Sequence, residues 1–231
     1  MNMNINKMQL IDLTHTLTPD TRDWDGHCGF HLQMHKDYDK SAVGTAFRLH
    51  NIEMVAGIGT HMDAPMHCFA KGKSIADIRL QELFVPCVVI DMPENRPDDY
   101  CLLPKDIHEF ETHVTKIEKN TFVIVRTGWA KHWHDPVRYR NDLVFPTISP
   151  LAATLLIEKG VVGIGIDTLS PDNATTDFKV HHIVLGAGKY IIENIANADR
   201  LPSYGAIICA LPLKIKDGTE APLRLVGIIP H

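Results

Sequence analysis

Short apolar runs rich in β-branched residues recur along the chain: "FVPCVVIDM" (84–92), "TFVIVRTG" (121–128), "VVGIGID" (161–167) and "YGAIICALPLKI" (204–215). Their length and composition predict buried strands rather than helices. Between two of them lies "SPLAATLLIEKG" (149–160), with Ser149 placed as N-cap, Pro150 at the first helical position and Gly160 as the stop. The predicted helix sets Leu151, Leu155 and Leu156 on one face, against the sheet. The stretch from Pro93 to Lys119 is polar and carries "PENRPDDY", which reads as surface connection with a short helix over "PKDIHEFETHV". No repeat, heptad array or low-complexity tract interrupts the pattern. The expectation is one α/β (or α+β) domain over residues 1–231, strand-rich with helices packed on the sheet.

Two stretches break the apolar pattern with ligand-type side chains. In "GTHMDAPMH" (59–67), an extended backbone points His61 and Asp63 to one face and Met62 and Ala64 to the other. Pro65 turns the chain and can bring His67 back over that face, while Gly57 and Gly59 permit close backbone approach upstream. An H-x-D pair alone is equally a hydrogen-bonded turn feature, so a metal reading needs a second source of ligands. "VHHIVLGAGKYIIEN" (180–194) offers one. A short helix from Val180, stopped at Gly186 and Gly188, followed by a strand "KYIIENI", folds Glu193 back toward His181. His182 diverges by about 100° on that helix and reads as a packing or supporting histidine. "GAG" is no dinucleotide fingerprint, since Ile191 stands where its third glycine would be. Upstream, "GIGIDTLSPD" ends a buried strand in Asp167, Thr168, Ser170 and Asp172, where Asp167 and Ser170 read as partners for turn backbone groups. No G-x-S-x-G elbow marks Ser170 as a nucleophile.

Composition narrows the function classes. The chain has 231 residues, 45% hydrophobic and 22% charged, with a formal net charge of -5 and no Lys/Arg block, so nucleic acid is not an expected partner. Five scattered cysteines, Cys28, Cys68, Cys87, Cys101 and Cys209, never spaced C-x-x-C, argue for free thiols in a reducing cytoplasm rather than disulfides or a thiolate zinc site. The start "MNMNINKMQLIDLTHTL" lacks a signal-type apolar region, and no stretch approaches about 20 apolar residues, so an unsecreted cytoplasmic protein without a membrane partner is expected. "KHWHDP" (131–136) reads as solvated histidines on a surface loop. Trp24, Trp129 and Trp133 hint at an aromatic or flat ligand, although buried tryptophans also serve packing.

The two constellations, with their order and flanks, resemble the cyclase family of metal-dependent hydrolases, which includes bacterial kynurenine formamidase and isatin hydrolase. That family's signature, H-x-G-T-H-x-D-x-P-x-H, is matched by "GIGTHMDAPMH". Further matches are "IDLTHTLTPDTRDWDG", "VIVRTGW", "FPTISPLAATLLIEKG", "GIDTLSPD" and "HHIVLGAGKYIIEN". The resemblance implies the family's swivelling β/β/α fold and a homo-oligomer, dimer or tetramer. It implies His61, Asp63, His181 and Glu193 as metal ligands, His67 in proton transfer or at a second metal, and Trp24 lining the substrate pocket. One position departs: the signature's first histidine is Gly57 here. Glycine has no side-chain donor, so that ligand place loses affinity, recruits another group or stays empty. His50 and Cys68 are the replacements considered, ranked below simple loss.

A nitrogen and carboxylate-oxygen donor set suits Zn²⁺ first and Mn²⁺ second, as one ion or two. The chemistry this implies is hydrolysis of a small amide, lactam or ester by a metal-activated water, arylformamidase-like or isatin hydrolase-like, with His67 as acid and base. Two other classes stay open: a binding protein with a degenerate metal site, and a lyase or cyclisation enzyme stabilising an enolate. Metal analysis separates the first and product mass the second.

Overall fold

The computed structural model describes residues 8–38, 47–173 and 177–230. The opening residues 1–7, part of the stretch read above for a signal segment, lie outside the described residues. Twelve strands are described: β1 (Met8–Asp12), β2 (Phe30–Lys36), β3 (Leu49–Met54), β4 (His61–Asp63), β5 (Phe84–Asp91), β6 (Cys101–Leu102), β7 (Phe122–Arg126), β8 (Thr147–Ile148), β9 (Gly163–Ile166), β10 (Tyr190–Glu193), β11 (Ala206–Pro212) and β12 (Glu220–Pro230). Five α-helices accompany them: α1 (Leu80–Leu83), α2 (Pro104–His113), α3 (Pro136–Arg140), α4 (Pro150–Glu158) and α5 (Lys179–Gly186).

The apolar runs pair into one eight-stranded sheet in the order β1-β12-β11-β5-β7-β9-β10-β4, and an additional pairing of β4 with β12 closes it. Neighbours from β5 through β7 and β9 to β10 are parallel; the other pairings are antiparallel. The long β12 makes the closure. One of its edges pairs with β4 through Glu220–Pro222 and with β1 through Val226–Pro230, while β11 takes the other.

Alternation along the strands builds two cores. Met62, Phe122, Ile124, Ile192, Ile208 and Ala221 cluster on one side of the sheet. Val123, Val125, Ile164 and Ile191 point the opposite way and pack with Ile107, Leu156 and Val184 of α2, α4 and α5. Burying one such side chain contributes about 1.5–3 kcal/mol, whereas a helix-propensity difference is below about 1 kcal/mol per residue, so packing selects this topology.

The predicted strands and the three predicted helices form where their patterns put them. The Ser149 hydroxyl accepts a hydrogen bond from the Ala152 N–H, and Gly160 takes a positive φ as the helix stops. The expected leucine face is corrected. Leu151 is 70% exposed, and the buried stripe runs through Ala152, Ala153 and Leu156. Two alanines let the helix lie close to the sheet, which rotates Leu151 to solvent. All five cysteines are free. Among the described residues no helix is long and apolar enough to cross a membrane.

Candidate metal centre

The three-residue strand β4 is held on both edges, and its register decides what faces what. Glu193 of β10 lies opposite His61, and Glu220 of β12 lies opposite Asp63. Directly opposed residues project to the same side of a sheet. His61, Asp63, Glu193 and Glu220 therefore share one face, while Met62, Ile192 and Ala221 enter the core behind them. The entry to β4 is tightly anchored. Gly59 takes φ +60, the Thr60 hydroxyl donates to the Asn194 carbonyl at 2.6 Å, and the Asn194 side-chain amide donates to the Gly59 carbonyl at 2.9 Å.

Both imidazoles have one nitrogen fixed and the other aimed at a common volume. His61 Nδ1 donates to the Gly59 carbonyl at 2.9 Å, which leaves Nε2 at 3.3 Å from Asp63 Oδ1 and 3.3 Å from Glu193 Oε2. His181 projects from α5, whose first turn is capped from outside by Asp172. The Asp172 carboxylate accepts from the Val180 N–H at 3.1 Å, from the His181 N–H at 2.9 Å and from His181 Nδ1 at 2.8 Å. His181 Nε2 then lies 3.3 Å from Glu193 Oε1 and 3.6 Å from Asp63 Oδ2.

His61, Asp63, His181 and Glu193 are each, as whole residues, 6% exposed or less. Both Asp63 oxygens and Glu193 Oε1 are buried without a hydrogen-bond partner. Leaving buried carboxylate oxygens unpaired costs several kcal/mol unless a cation sits among them. The spacing fits one. The inward nitrogens and the carboxylate oxygens lie 3.3–3.6 Å apart, His61 facing Asp63 Oδ1 and Glu193 Oε2 and His181 facing Asp63 Oδ2 and Glu193 Oε1, which is within the span of ligands around one ion. Asp63, His181 and Glu193 make one candidate group for a divalent ion, and Asp63 shares a second with His61 and Glu220; together they form the candidate cage.

The electrostatics agree in direction. Burial pulls the His61 pKa down, but the Asp63 and Glu193 carboxylates pull it up further, to about 10. Burial opposes charge on Asp63, yet His61 and His181 hold it well below the usual carboxylate range. Burial, reinforced by the Asp63 charge, pushes Glu193 up. The opposed shifts of His61 and Asp63 have one cause, imidazoles and carboxylates facing one another across the same buried volume.

His67 reaches the edge of the cage, as the turn at Pro65 predicts. Its ring centroid lies 5.9 Å from that of His181, its Nδ1 lies 3.3 Å from Glu220 Oε2, and 34% of its side-chain surface is exposed. The hydrogen bond to Glu220 raises its pKa, against an opposing effect of burial. A cleft of about 320 Å³ lined by His67, Cys68, Phe178, His181 and His182 opens there. A larger hollow of about 1020 Å³ lies at the ends of β7 and β9 and is lined by none of the cage residues. Trp24 is half-buried, 5.5 Å from the Phe178 ring, which itself lies 5.7 Å from that of His181.

Other sequence expectations resolve around this centre. Asp167 accepts from the Thr127 and Gly128 N–H groups and the Ser170 hydroxyl from the Asp172 N–H, as turn partners do. His182 is exposed, donates from Nδ1 to the Phe178 carbonyl, and meets the Phe69 ring edge-on. In "KHWHDP", Trp133 stacks on His15 at 3.9 Å, and no residue of the stretch joins a metal-binding group among the described residues. At the Gly57 place, His50 and Cys68 keep their low rank. Neither His50, paired with Met34 in a separate hairpin, nor Cys68 belongs to a ligand group; Glu220 does, with His61 and Asp63. Sequence reasoning missed Glu220, Asn194 and the orienting role of Asp172. Asp172 alone had a legible signal, an acidic residue shortly before a helix carrying a ligand-type histidine.

Asp172→Ala is expected to weaken divalent-ion affinity by about 10–100-fold with the fold retained, because His181 loses the partner that orients its ring. Titration of the metal-free variant with Co²⁺, followed by absorbance, checks this; wild-type affinity would refute the orienting role.

A family model described as "Putative cyclase" matches residues 11–173, a span that ends before His181. The isatin hydrolase of Roseibium aggregatum is 30% identical over 215 residues, covering 86% of this chain and 81% of that protein. The kynurenine formamidase of Salinibacter ruber is 29% identical over 222 residues, covering 95% of this chain and 97% of the relative. The solved structure of isatin hydrolase A from Labrenzia aggregata bound to benzyl benzoate superposes with a TM-score of 0.89 at 32% identity, over 98% of this chain and 95% of that one.

Proposed function

Since the chain belongs to the cyclase family of metal-dependent hydrolases, we propose that it hydrolyses a small amide, lactam or ester by attack of a water activated at the cage. Cleavage of a C–N bond, as in formamides and lactams, is the leading case. The observation that carries this reading is the convergence of two imidazoles, each with Nδ1 anchored and Nε2 turned inward, on carboxylate oxygens that have no hydrogen-bond partner. His61, Asp63, His181 and Glu193 would hold the ion. A divalent ion bound there supplies polarisation of the scissile carbonyl and a water that is nucleophilic near neutral pH.

The chain's own residues supply the proton traffic and the walls. His67 Nδ1 donates toward Glu220 Oε2, so its Nε2 is free to accept the proton of the attacking water and return it to the departing nitrogen or oxygen. Its seat at the cleft brings it to the substrate side rather than into the buried cage. Phe178, backed by Trp24, offers a flat apolar wall beside His181, suited to an aromatic substrate. The nitrogen and oxygen donors suit Zn²⁺ first and Mn²⁺ second. A cytoplasmic homo-oligomer completes the reading.

Stripping the purified protein with a chelator and assaying it against aryl formamides, lactams and aryl esters tests the proposal. Turnover is expected to vanish on stripping and to return with Zn²⁺ or Mn²⁺, a lactam giving one ring-opened product heavier by one water and a formamide or ester giving two products whose masses sum to substrate plus one water. Full turnover by metal-free protein, or no binding of a divalent ion, would overturn it.

A further inference from the structure

Glu220 stands at the start of β12, and its two oxygens do different things. Oε2 accepts from the Thr219 hydroxyl at 3.1 Å and lies 3.3 Å from His67 Nδ1. Oε1 points instead at Gly57: a Cβ placed on that glycine would lie 2.4 Å from Glu220 Oε1 and 3.3 Å from His61 Nε2. Real Cβ atoms essentially never make so close a contact, so Oε1 occupies the space that any side chain at position 57 would need. Ligand atoms of His61, Asp63 and Glu220 lie within 4.8 Å of one another, and Asp63, 1% exposed, turns its unpartnered Oδ1 toward His61 Nε2 at 3.3 Å.

We infer that Glu220 is a metal ligand of this chain, donating through Oε1 in the space left open by Gly57, on the flank of Asp63 away from His181. This inference rests on the metal-dependent reading above. Its consequence is a donor set with three carboxylates and two imidazoles, harder than one in which an imidazole stood at that place, and so more favourable to Mn²⁺ relative to Zn²⁺. Gly57 and Glu220 act as one unit: the absent side chain of the first is the condition for the position of the second.

The test is a double-mutant cycle read by Mn²⁺ binding, with free and bound ion distinguished by electron paramagnetic resonance and Zn²⁺ affinity measured by competition. Glu220→Ala and the isosteric Glu220→Gln are each expected to weaken Mn²⁺ binding about tenfold or more, and Zn²⁺ binding less. Gly57→Ala, whose methyl group would displace Oε1, is expected to weaken binding in the native background and to have no further effect beside Glu220→Ala. Both Glu220 variants binding Mn²⁺ within twofold of the native protein, or strictly additive effects of the two positions, would overturn the inference. Asp63→Asn serves as control. A native protein that binds no ion sinks the functional reading itself, whereas native binding with indifferent Glu220 variants sinks this inference alone.

Discussion

Asp63→Asn or His61→Ala is expected to yield a folded protein with less than about a tenth of the native divalent-ion content and turnover reduced by roughly 10³-fold or more. Asp63 is the residue common to both ligand groups, His61–Asp63–Glu220 and Asp63–His181–Glu193, so no other change touches the cage as widely. An amide in its place keeps the volume but removes the charge that two imidazoles and a cation would share. Lewis-acid stabilisation is worth several kcal/mol, and each 1.36 kcal/mol is a factor of ten in rate, which sets the scale. The backbone pairing of β4 with β10 and β12 does not depend on these side chains, so the closed sheet should survive. Elemental analysis after gel filtration, with far-ultraviolet circular dichroism and a hydrolysis assay on the same sample, decides the matter. A variant at either position that kept native turnover would exclude the cage as the reaction centre.

His67→Gln should separate proton transfer from ion binding. Its kcat is expected to fall by about 10²–10⁴-fold, the range for loss of a general acid or base, with metal content unchanged. The reason is position. His67 stands at the cleft rather than among the buried residues of the candidate cage, and its Nδ1 is turned toward Glu220. Glutamine keeps a hydrogen-bonding side chain there but cannot accept and release a proton near neutral pH. Parallel loss of metal and rate would instead place His67 among the ligands. Unchanged kcat would remove it from the reaction.

Much of this architecture was legible residue by residue. The runs at 84–92, 121–128, 161–167 and 204–215 are strands because a β-branched stretch that short can bury itself only in a sheet. The Ser149 cap and the Gly160 stop are local signals, and they hold because a cap needs only its own backbone neighbours. His61 and Asp63 share a face because the side-chain period of an extended chain is two. The turn at Pro65 and the glycine break after α5 likewise bring His67 and Glu193 toward their partners through local geometry. The face of α4 was misread, because which of several apolar stripes is buried depends on how closely the helix approaches the sheet, and Ala152 and Ala153 settle that only against a neighbour.

By itself, then, the sequence determined the elements and the shared face of His61 and Asp63, all properties of a few consecutive residues. What only the tertiary structure decided is the closure of the sheet through β4 and β12, which sets Glu220 opposite Asp63 and fills the space beside Gly57. "GTEAP" (218–222) carries no local mark of that role. Strand register is a contact between segments more than 150 residues apart in the chain, and it is selected by the packing of the whole core, where slipping one residue would turn every buried side chain of β12 to the wrong face.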